Sequence, residues 1–302
     1  MSRTFHWDDW SLEALLEHKA RTGLSTSLVV PARNESATVG DVVGRVREAL
    51  MDTAALLDEI VVIDSDSTDD THEVASAAGA AVHRSREIRP ELGTRPGKGE
   101  AMWKSQFVTR GDLVVFMDAD LLDWDTHFVR GLLGPLLTTD AALVKGFYER
   151  PGQGGSYEGG RVTELVARPL IALDWPELVW LVQPLAGEWA VRRDLLARLH
   201  VPVGYAVELA ALIDTHRLLG PDAVVQVDLG RRAHRHQSLR DLGAMATQIL
   251  AASQRRADVS TPPFEVLLHQ HEQRDGILRT TAREIDLRER PPAIDVPAPV
   301  ED

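Results

Sequence analysis

The chain contains no cysteine among its 302 residues, and only 5% of its residues are aromatic. Without cysteine it can form neither a disulfide nor a thiolate metal site. No apolar run reaches the roughly 18 to 20 residues needed to span a bilayer, and the polar N-terminal segment is unlike a signal peptide. We therefore expect a cytoplasmic protein with no membrane partner.

Positive charge is also scarce. The sequence has 46 acidic residues against 33 lysines and arginines, a net charge of −13. This excess argues against binding to nucleic acid. Charges are screened beyond about 8–10 Å at physiological salt. An anionic substrate would therefore have to be held by positive groups, or a metal ion, inside the site itself.

Short apolar segments alternate with helical patterns along the first half of the chain. The predicted strands are Ser27–Val30, Glu59–Asp64, Ala80–His83, Asp112–Met117 and one that begins at Ala142. Helical spacing covers Glu35–Leu50 and resumes at Thr71. Nearly all-apolar strands alternating with helices predict a mostly parallel sheet covered on both faces. Ligands bind at the carboxyl ends of such strands, and three polar clusters, PARNES, DSDSTDD and DADLLD, lie at those ends.

The second half reads differently. A glycine-rich loop at 151–160 precedes the helix-like segment RVTELVARPLIAL. Helices are predicted at Val201–Leu219 and Ser238–Arg255, with a strand at Val224–Gly230. We expect residues 1–200 to form the main domain and 201–290 to form a mainly helical extension that completes the site and makes dimer contacts. The proline-rich, acidic tail at 291–302 is predicted to be disordered.

The pair Asp118 and Asp120 carries the clearest chemical signal. Two carboxylates one residue apart at a strand end repel each other, and a divalent cation removes that repulsion. Mg²⁺ prefers such oxygen ligands and bridges them to phosphates. The alternative is a solvated loop with acids placed by chance. The position after a buried strand, beside other polar strand ends, favours the metal site.

Positive groups occur in three separate motifs. Lys98 lies between glycines in RPGKGE, where it could neutralise a diphosphate or simply belong to an exposed turn. Arg161 opens a helical segment after a glycine pair, an arrangement suited to an anion, although it could be an ordinary loop-to-helix junction. RRAHRHQSL places His234 and His236 beside arginines, suiting a metal or an anion. Glu208 lies in an otherwise apolar helix, where the default is a solvated position.

Two common phosphate motifs are absent. GTRPGKGE has three residues between its first two glycines and a glycine after the lysine, so it is not a P-loop. No G-x-G-x-x-G follows the first strand, which argues against a dinucleotide fold. A phosphoester hydrolase with an aspartate nucleophile normally carries its D-x-D on the first strand, whereas this one follows the fourth.

Taken in order, the motifs resemble those of glucosyl-3-phosphoglycerate synthases. The motifs concerned are PARNES, DSDSTDDT, RPGKGEAMW, VVFMDADL, GGRVTELVARPL, QPLAGEWA, GYAVELAALIDT and RAHRHQSLRDLGAM. The resemblance runs from about Trp7 to Leu250. It implies a retaining glycosyltransferase of the α/β GT-A fold, Rossmann-like, which transfers glucose from UDP-glucose to the 2-hydroxyl of D-3-phosphoglycerate. It further implies Mg²⁺ or Mn²⁺, a homodimer, and a product used for glucosylglycerate or methylglucose lipopolysaccharides.

The resemblance also assigns residues to roles. For the nucleotide sugar it implies Pro31, Ala32, Arg33, Glu35, Ser65, Lys98, Asp118 and Ala119. For 3-phosphoglycerate it implies Gly160, Arg161, Thr163, Arg232 and His236. The metal ligands would be Asp118, Asp120 and His234, with Asp120 the main direct carboxylate ligand. Lys98, Leu185 and Glu208 would surround the reacting glucose.

Three positions depart from the family pattern. Ala119 stands where a serine is expected, Asp66 where a glycine is expected, and His236 where an asparagine is expected. The second change adds negative charge near the base, and the third affects acceptor preference or pH dependence. Four other interpretations stay open: a mannosyl-3-phosphoglycerate synthase or dual-specificity enzyme using GDP-sugars, a nucleotidyltransferase, a phosphoester hydrolase, and a non-catalytic nucleotide-sugar-binding protein.

Overall fold

The computed structural model describes residues 3–149, 160–232, 238–257, 264–274 and 277–298. The strands in these ranges are β1 Thr4–His6, β2 Thr26–Ala32, β3 Glu59–Asp64, β4 Ala81–Arg84, β5 Leu113–Phe116, β6 Leu143–Glu149, β7 Trp189–Arg192, β8 Val201–Pro202, β9 Val224–Arg231, β10 Glu265–Arg274, β11 Ile277–Asp286 and β12 Glu289–Arg290. The α-helices are α1 Leu12–Thr22, α2 Val39–Arg47, α3 Thr71–Ala77, α4 Lys98–Ser105, α5 His127–Thr138, α6 Arg168–Asp174, α7 Arg193–Leu196, α8 Val207–Leu219 and α9 Leu239–Arg256.

Eight strands form one central sheet in the order β1-β9-β6-β7-β5-β2-β3-β4. Neighbouring strands run parallel except β7, which is antiparallel to both β5 and β6. The inner strands β2, β3 and β5 are buried and almost wholly apolar, as expected for a parallel sheet covered on both faces. The predicted GT-A type of sheet is therefore confirmed.

Successive residues of each strand enter opposite cores. Val30 and Val115 pack with α1, α2, α3 and α5 on one face, whereas Val29 and Val114 pack with α4, α6, α8 and α9 on the other. This alternation is the period-two pattern of a strand between two helical layers. The sheet is therefore packed between two layers of helices, and it supports the loops at the carboxyl ends of its strands.

The strand predictions at residues 27–30, 59–64 and 112–117 correspond to β2, β3 and β5, and the helix beginning at Thr71 is α3. The helix predicted from residue 35 begins only at Val39, because residues 34–38 form turns at the end of β2. The helix predicted at Ser238 is α9, and the Ser238 side chain caps it by accepting from the Asp241 N–H. The elements that were not predicted include β7 and the hairpin of β10 and β11, which pairs over ten residues a side.

The end of the chain differs from the predicted disordered tail. The Pro291 carbonyl accepts from Trp103 Nε1 at 2.8 Å, and Arg89 donates to the Pro297 carbonyl at 2.7 Å. Arg290 forms a double hydrogen bond with the buried Glu100 of α4, at 2.7 and 2.8 Å. These contacts hold residues 291–298 against the body, so the prediction is wrong for them, and 299–302 lie outside the described residues.

The boundary predicted at residue 200 is not a break in the sheet. Strand β9, from the proposed second part, pairs with β6 and β1 inside the central sheet. The region beyond it contains α9 and the hairpin, which share a small apolar core of Ala244, Ala251, Ile285 and Leu287. The C-terminal part is therefore continuous with the sheet and carries a hairpin beside its helix.

Candidate functional site

Polar residues meet at one edge of the sheet. Strands β2, β3 and β5 run parallel, so the residues that follow them lie along a common edge. Because β7 is antiparallel, its amino end and the preceding residues 185–188 lie at that same edge. The segment QPLAGEWA therefore joins the site through strand direction, which its sequence alone does not reveal.

The loops after β2 and β3 are linked by hydrogen bonds. Ser65 N donates to the Ala32 carbonyl at 2.8 Å, and Glu35 N donates to Thr71 Oγ1 at 2.8 Å. Asn34, at the left-handed φ of 57°, accepts from Thr68 N through its side chain. Pro31 and Ala32 end β2, with Arg33 exposed just beyond, so the predicted nucleotide residues share one rigid double loop.

Asp66 shows why the family pattern favours glycine at its position. Its φ is 56°, in the left-handed region where glycine has no steric penalty and aspartate is among the better-tolerated alternatives. The added charge has a nearby counter-ion, because Arg86 Nη1 lies 3.6 Å from Asp66 Oδ1. The extra negative charge expected from the sequence is therefore partly offset.

The glycines around Lys98 serve contacts between protein backbones. A Cβ on Gly99 would lie 1.8 Å from the Pro202 carbonyl, and one on Gly97 would lie 2.2 Å from the Val203 carbonyl. The N–H groups of Gly99 and Glu100 donate to the carbonyls of residues 204 and 203. These first N–H groups of α4 are thus already bonded, and the role predicted for the Lys98 side chain towards an anion stays a prediction.

A charged cluster forms where α4, α8 and the sheet edge meet. Lys98 Nζ lies 2.6 Å from Asp118 Oδ1 and 2.9 Å from Glu208 Oε1. The second Asp118 oxygen accepts from Arg232 Nη2 at 2.8 Å, and the same nitrogen lies 3.6 Å from Asp120 Oδ1. Four residues predicted from separate motifs therefore converge, together with Asp120. Glu208 is buried and paired, so its default interpretation as a solvated residue is wrong.

The charges in this cluster shift one another's pKa values. Burial opposes the charged forms of Lys98 and Asp118, but their opposite neighbours outweigh it, raising the pKa of Lys98 and lowering that of Asp118. Asp120 differs, because burial and the nearby Asp118 charge both raise its pKa, and Arg232 offsets this only in part. The site therefore favours additional positive charge beside Asp120.

Arg232 is buried, whereas a residue that binds the acceptor at the surface would be exposed. It is 3% exposed, and besides Asp118 it donates to Glu188 Oε2 at 2.9 Å and to the Tyr148 hydroxyl. Sequence reasoning named Arg232 but missed Glu188 and Tyr148. QPLAGEWA contains Glu188, and only the antiparallel β7 places it here. The predicted role of Arg232 towards the acceptor carboxylate stays a prediction.

Gly187 provides the space that Asp118 occupies. Phe116 of β5 is paired with Trp189 of β7, and the same antiparallel register two residues further on sets Asp118 opposite Gly187. A Cβ on Gly187 would lie 2.2 Å from Asp118 Oδ2 and 2.5 Å from Oδ1. A side chain at this position would push the carboxylate out of the charged cluster.

We expect Gly187→Ala to lower activity about 10²-fold, the effect that a displacement of about 1 Å can have on catalysis. The displaced group is a carboxylate held by Lys98 and Arg232. Steady-state kinetics with metal titration would measure it, and Gly44→Ala, on α2 with nothing within 4 Å of its added Cβ, is the matched control. Equal activity of the Gly187 and Gly44 variants would show that Asp118 need not lie where it does.

The predicted acceptor residues lie on the segment that leads into α6. Thr163 is buried, Arg161 is exposed, and the Gly160 carbonyl accepts from Glu164 N at 3.1 Å. Arg168 anchors the segment by donating to the Val182 carbonyl at 2.6 Å, a few residues before Leu185. Leu185 is half-buried against the core. His234 and His236 lie outside the described residues, so their placement stays a prediction.

The described residues hold two of the three predicted metal ligands. Within them no group of three or more histidine, cysteine, aspartate or glutamate side chains is arranged to hold a metal ion. Asp118 and Asp120 supply carboxylate oxygens on one short turn, a donor set that suits Mg²⁺ or Mn²⁺ shared with substrate phosphates. The raised pKa of Asp120 fits the same conclusion. Ala119, between them, is buried in the apolar core and offers no side-chain ligand.

No helix within the described ranges is both long and apolar enough to span a membrane.

The sequence that forms this sheet and its acidic edge matches a known protein family. The profile of glycosyl transferase family 2 matches residues 27–196. A glucosyl-3-phosphoglycerate synthase of Mycolicibacterium smegmatis is 47% identical over 259 residues, covering 84% of this chain and 83% of the relative.

Solved structures agree with the sequence comparison. The Mycobacterium tuberculosis glucosyl-3-phosphoglycerate synthase bound to Mn²⁺, UDP and phosphoglyceric acid matches with a TM-score of 0.87 at 43% identity, covering 97% of this chain and 98% of that one. A crystal structure of that enzyme with Mn²⁺, UDP-glucose and phosphoglyceric acid matches with a TM-score of 0.85 at 43% identity, covering 97% and 98%.

Proposed function

The chain belongs to the glucosyl-3-phosphoglycerate synthases, within glycosyl transferase family 2, and on that premise we propose that it transfers glucose from UDP-glucose to the 2-hydroxyl of D-3-phosphoglycerate. The observation that carries the proposal is the Lys98 ammonium, held between Asp118 and Glu208 beside Asp120 at the edge of the sheet. This arrangement places a cation beside two acidic residues that suit a divalent metal. A nucleotide diphosphate requires both kinds of positive charge.

The metal site is proposed to consist of Asp118, Asp120 and His234. When bound, Mg²⁺ or Mn²⁺ would neutralise the diphosphate and polarise its oxygens. Asp118 already shares its oxygens with Lys98 and Arg232, whereas the cation paired with Asp120 among the described residues is Arg232, at 3.6 Å. This difference supports Asp120 as the main carboxylate ligand.

The chain's own residues then hold the donor and its leaving group. Residues 31–35 and Ser65 form the linked double loop that would bind the uridine. Lys98 is positioned to stabilise the negative charge that grows on UDP as the sugar–phosphate bond breaks, a type of electrostatic term that is usually large. Glu208 is fixed by Lys98, so it suits orientation of a glucose hydroxyl better than nucleophilic attack.

We propose that the reaction retains the anomeric configuration. The acceptor 2-hydroxyl would attack from the face that UDP leaves, and its proton would pass to the departing phosphate oxygen. No protein base is needed for this transfer. The fixed pairing of Glu208 with Lys98 supports such a route, because it leaves the carboxylate engaged in an ion pair.

A panel of nucleotide sugars offered with 3-phosphoglycerate, with Mg²⁺ or with chelator, tests the proposal. We expect UDP-glucose to give a glucosyl-3-phosphoglycerate product by mass, and chelator to stop its formation. Preference for GDP-mannose would favour the mannosyl alternative. Phosphate release without a sugar donor would favour the hydrolase, and binding without turnover would favour a non-catalytic protein.

Arg161 provides a separate test of the acceptor site. With Gly160 and Thr163 it is proposed to hold the acceptor phosphate, while Arg232 and His236 would hold the carboxylate. Arg161→Ala should raise the KM for 3-phosphoglycerate about 10- to 100-fold, as expected for a lost charged hydrogen bond. The KM for UDP-glucose should change little.

The control is a substitution at Arg110, which is exposed. Arg168→Ala would be a poor control, because Arg168 anchors the acceptor segment. An unchanged acceptor KM would place the acceptor elsewhere.

We propose that the enzyme is a cytoplasmic homodimer whose product supplies glucosylglycerate or methylglucose lipopolysaccharide synthesis, as the family resemblance implies. Exposed leucines support an oligomer: Leu165, 74% exposed, lies just before α6, and Leu173, 81% exposed, lies within it. Light scattering tests the oligomer. A dimer that Leu173→Glu dissociates would place the interface on this helix.

A further inference from the structure

Lys145 is a buried cation that the proposed reaction does not use. It lies in the middle of β6, 1% exposed, in a strand whose other inward residues are apolar. Burying an ammonium group costs free energy unless other groups compensate. A lysine at such a position therefore calls for a specific contact.

Its ammonium reaches the wall of the candidate sugar site. Lys145 is paired with Trp189 across β6 and β7. Its Nζ donates to the carbonyl of Ala186, three residues before Trp189. Nζ also lies 5.9 Å from the centroid of the Trp189 ring. Through the Ala186 carbonyl, Lys145 anchors the segment 185–187, which leads into β7.

The segment that Lys145 holds has two tasks. Gly187 leaves room for the Asp118 carboxylate, and a Cβ there would overlap it. Leu185 is the residue proposed to contact the glucose. Ala186 lies between these two residues in the chain. A bond to its carbonyl therefore restrains both the residue beside Asp118 and the residue proposed to contact the glucose.

Burial disfavours the charged form of Lys145 relative to the neutral amine. Burial lowers the pKa of Lys145 to about 8, although Glu208 and Glu188 act in the opposite direction. Between this value and the ordinary 10.5, the native state binds fewer protons than the unfolded chain, so stability rises with pH in that window. Below it the full cost of the buried charge is present.

We infer that Lys145 is a positioning residue of the donor-sugar subsite, which fixes Leu185 and Gly187 through the Ala186 carbonyl. The inference rests on the proposed glucosyl transfer. It explains why a charged residue is kept in a strand interior where methionine would fill the same space with no charge to bury.

The test compares Lys145→Met with Lys104→Met. Lys104 is a second wholly buried lysine, whose ammonium bonds Ile88 and Thr94 away from the sugar wall. Lys145→Met should lower kcat, and should lower the ratio of UDP-glucose affinity to UDP affinity about 10-fold, as for one lost charged hydrogen bond. The affinities for UDP alone and for 3-phosphoglycerate should stay near wild type. Lys104→Met should leave the ratio unchanged.

Thermal unfolding gives the second readout. Lys145→Met should be more stable than wild type at neutral pH, with the advantage shrinking as the pH rises from about 8 towards 10.5. Higher stability with a lower affinity ratio excludes a purely structural role. If the methionine variant does not fold, Lys145→Gln is judged by the same ratio.

An unchanged ratio and kcat in a folded Lys145 variant would overturn the inference, as would an equal fall in UDP affinity, which would show general damage to the site. These results are distinct from failure of the proposed function. If wild-type protein transfers no glucose to 3-phosphoglycerate, the function itself is wrong. If wild type is active and the variant equally so, only the role of Lys145 is wrong.

Discussion

Replacing Asp120 by asparagine should lower the rate of glucosyl transfer about 10³-fold, because charge stabilisation by a bound metal ion contributes several kcal/mol. Asparagine keeps the size of the side chain and one oxygen but loses the charge. Burial and the Asp118 charge raise the pKa of Asp120, and Arg232, the cation paired with it among the described residues, lies 3.6 Å away. Mg²⁺ binding by calorimetry and turnover against Mg²⁺ concentration would measure the effect.

Asp123→Asn is the matched control, since Asp123 is an exposed acid three residues further along the same turn. Its activity and metal affinity should equal those of wild type. The sign of the pH dependence follows from the raised pKa of Asp120. A proton competes with the metal for this carboxylate, so metal affinity should fall as the pH decreases through that pKa. Normal Mg²⁺-dependent turnover of the Asp120 variant would remove Asp120 from the metal site.

Strand identity could be predicted from the sequence where packing is local. The apolar runs of β2, β3 and β5 each end at polar residues, so both the strands and the functional edge follow from the pattern. The direction of β7 does not, because its four residues carry no signal for antiparallel pairing. The hairpin of β10 and β11 is too rich in charge to look like a pair of strands, although Asp275-Gly276 is a typical turn dipeptide.

The site shows the same division. Asp118, Asp120, Lys98 and Glu208 were found because each interrupts an apolar or glycine-rich pattern. Glu188, Lys145 and Gly187 depend on which strands lie side by side, and their roles come from register. The glycines beside Lys98 stand out in the sequence, but their close contact with the carbonyls of Pro202 and Val203, before α8, is visible only in the structure. Sequence identifies the reactive groups, and strand pairing decides how they are held.

Lys98→Met should lower kcat about 10²- to 10³-fold, the loss expected when one group that stabilises the leaving oxygen is removed. Two effects act together. The growing charge on UDP loses its ammonium partner, and the buried Glu208 loses the cation 2.9 Å from its carboxylate. The second effect leaves a buried carboxylate without its ion-pair partner, which costs free energy. Pre-steady-state rates of UDP-glucose consumption would separate chemistry from product release.

Lys104→Met again serves as the control, because it removes a buried ammonium from the same helix without touching the acidic cluster. The folded Lys104→Met enzyme should keep its kcat. Lys98→Met should lower kcat, because Lys98 holds the Asp118 and Glu208 carboxylates of the charged cluster. If the two variants lost kcat equally, the effect would come from the position of α4. The Lys98 charge would then not act on the leaving group.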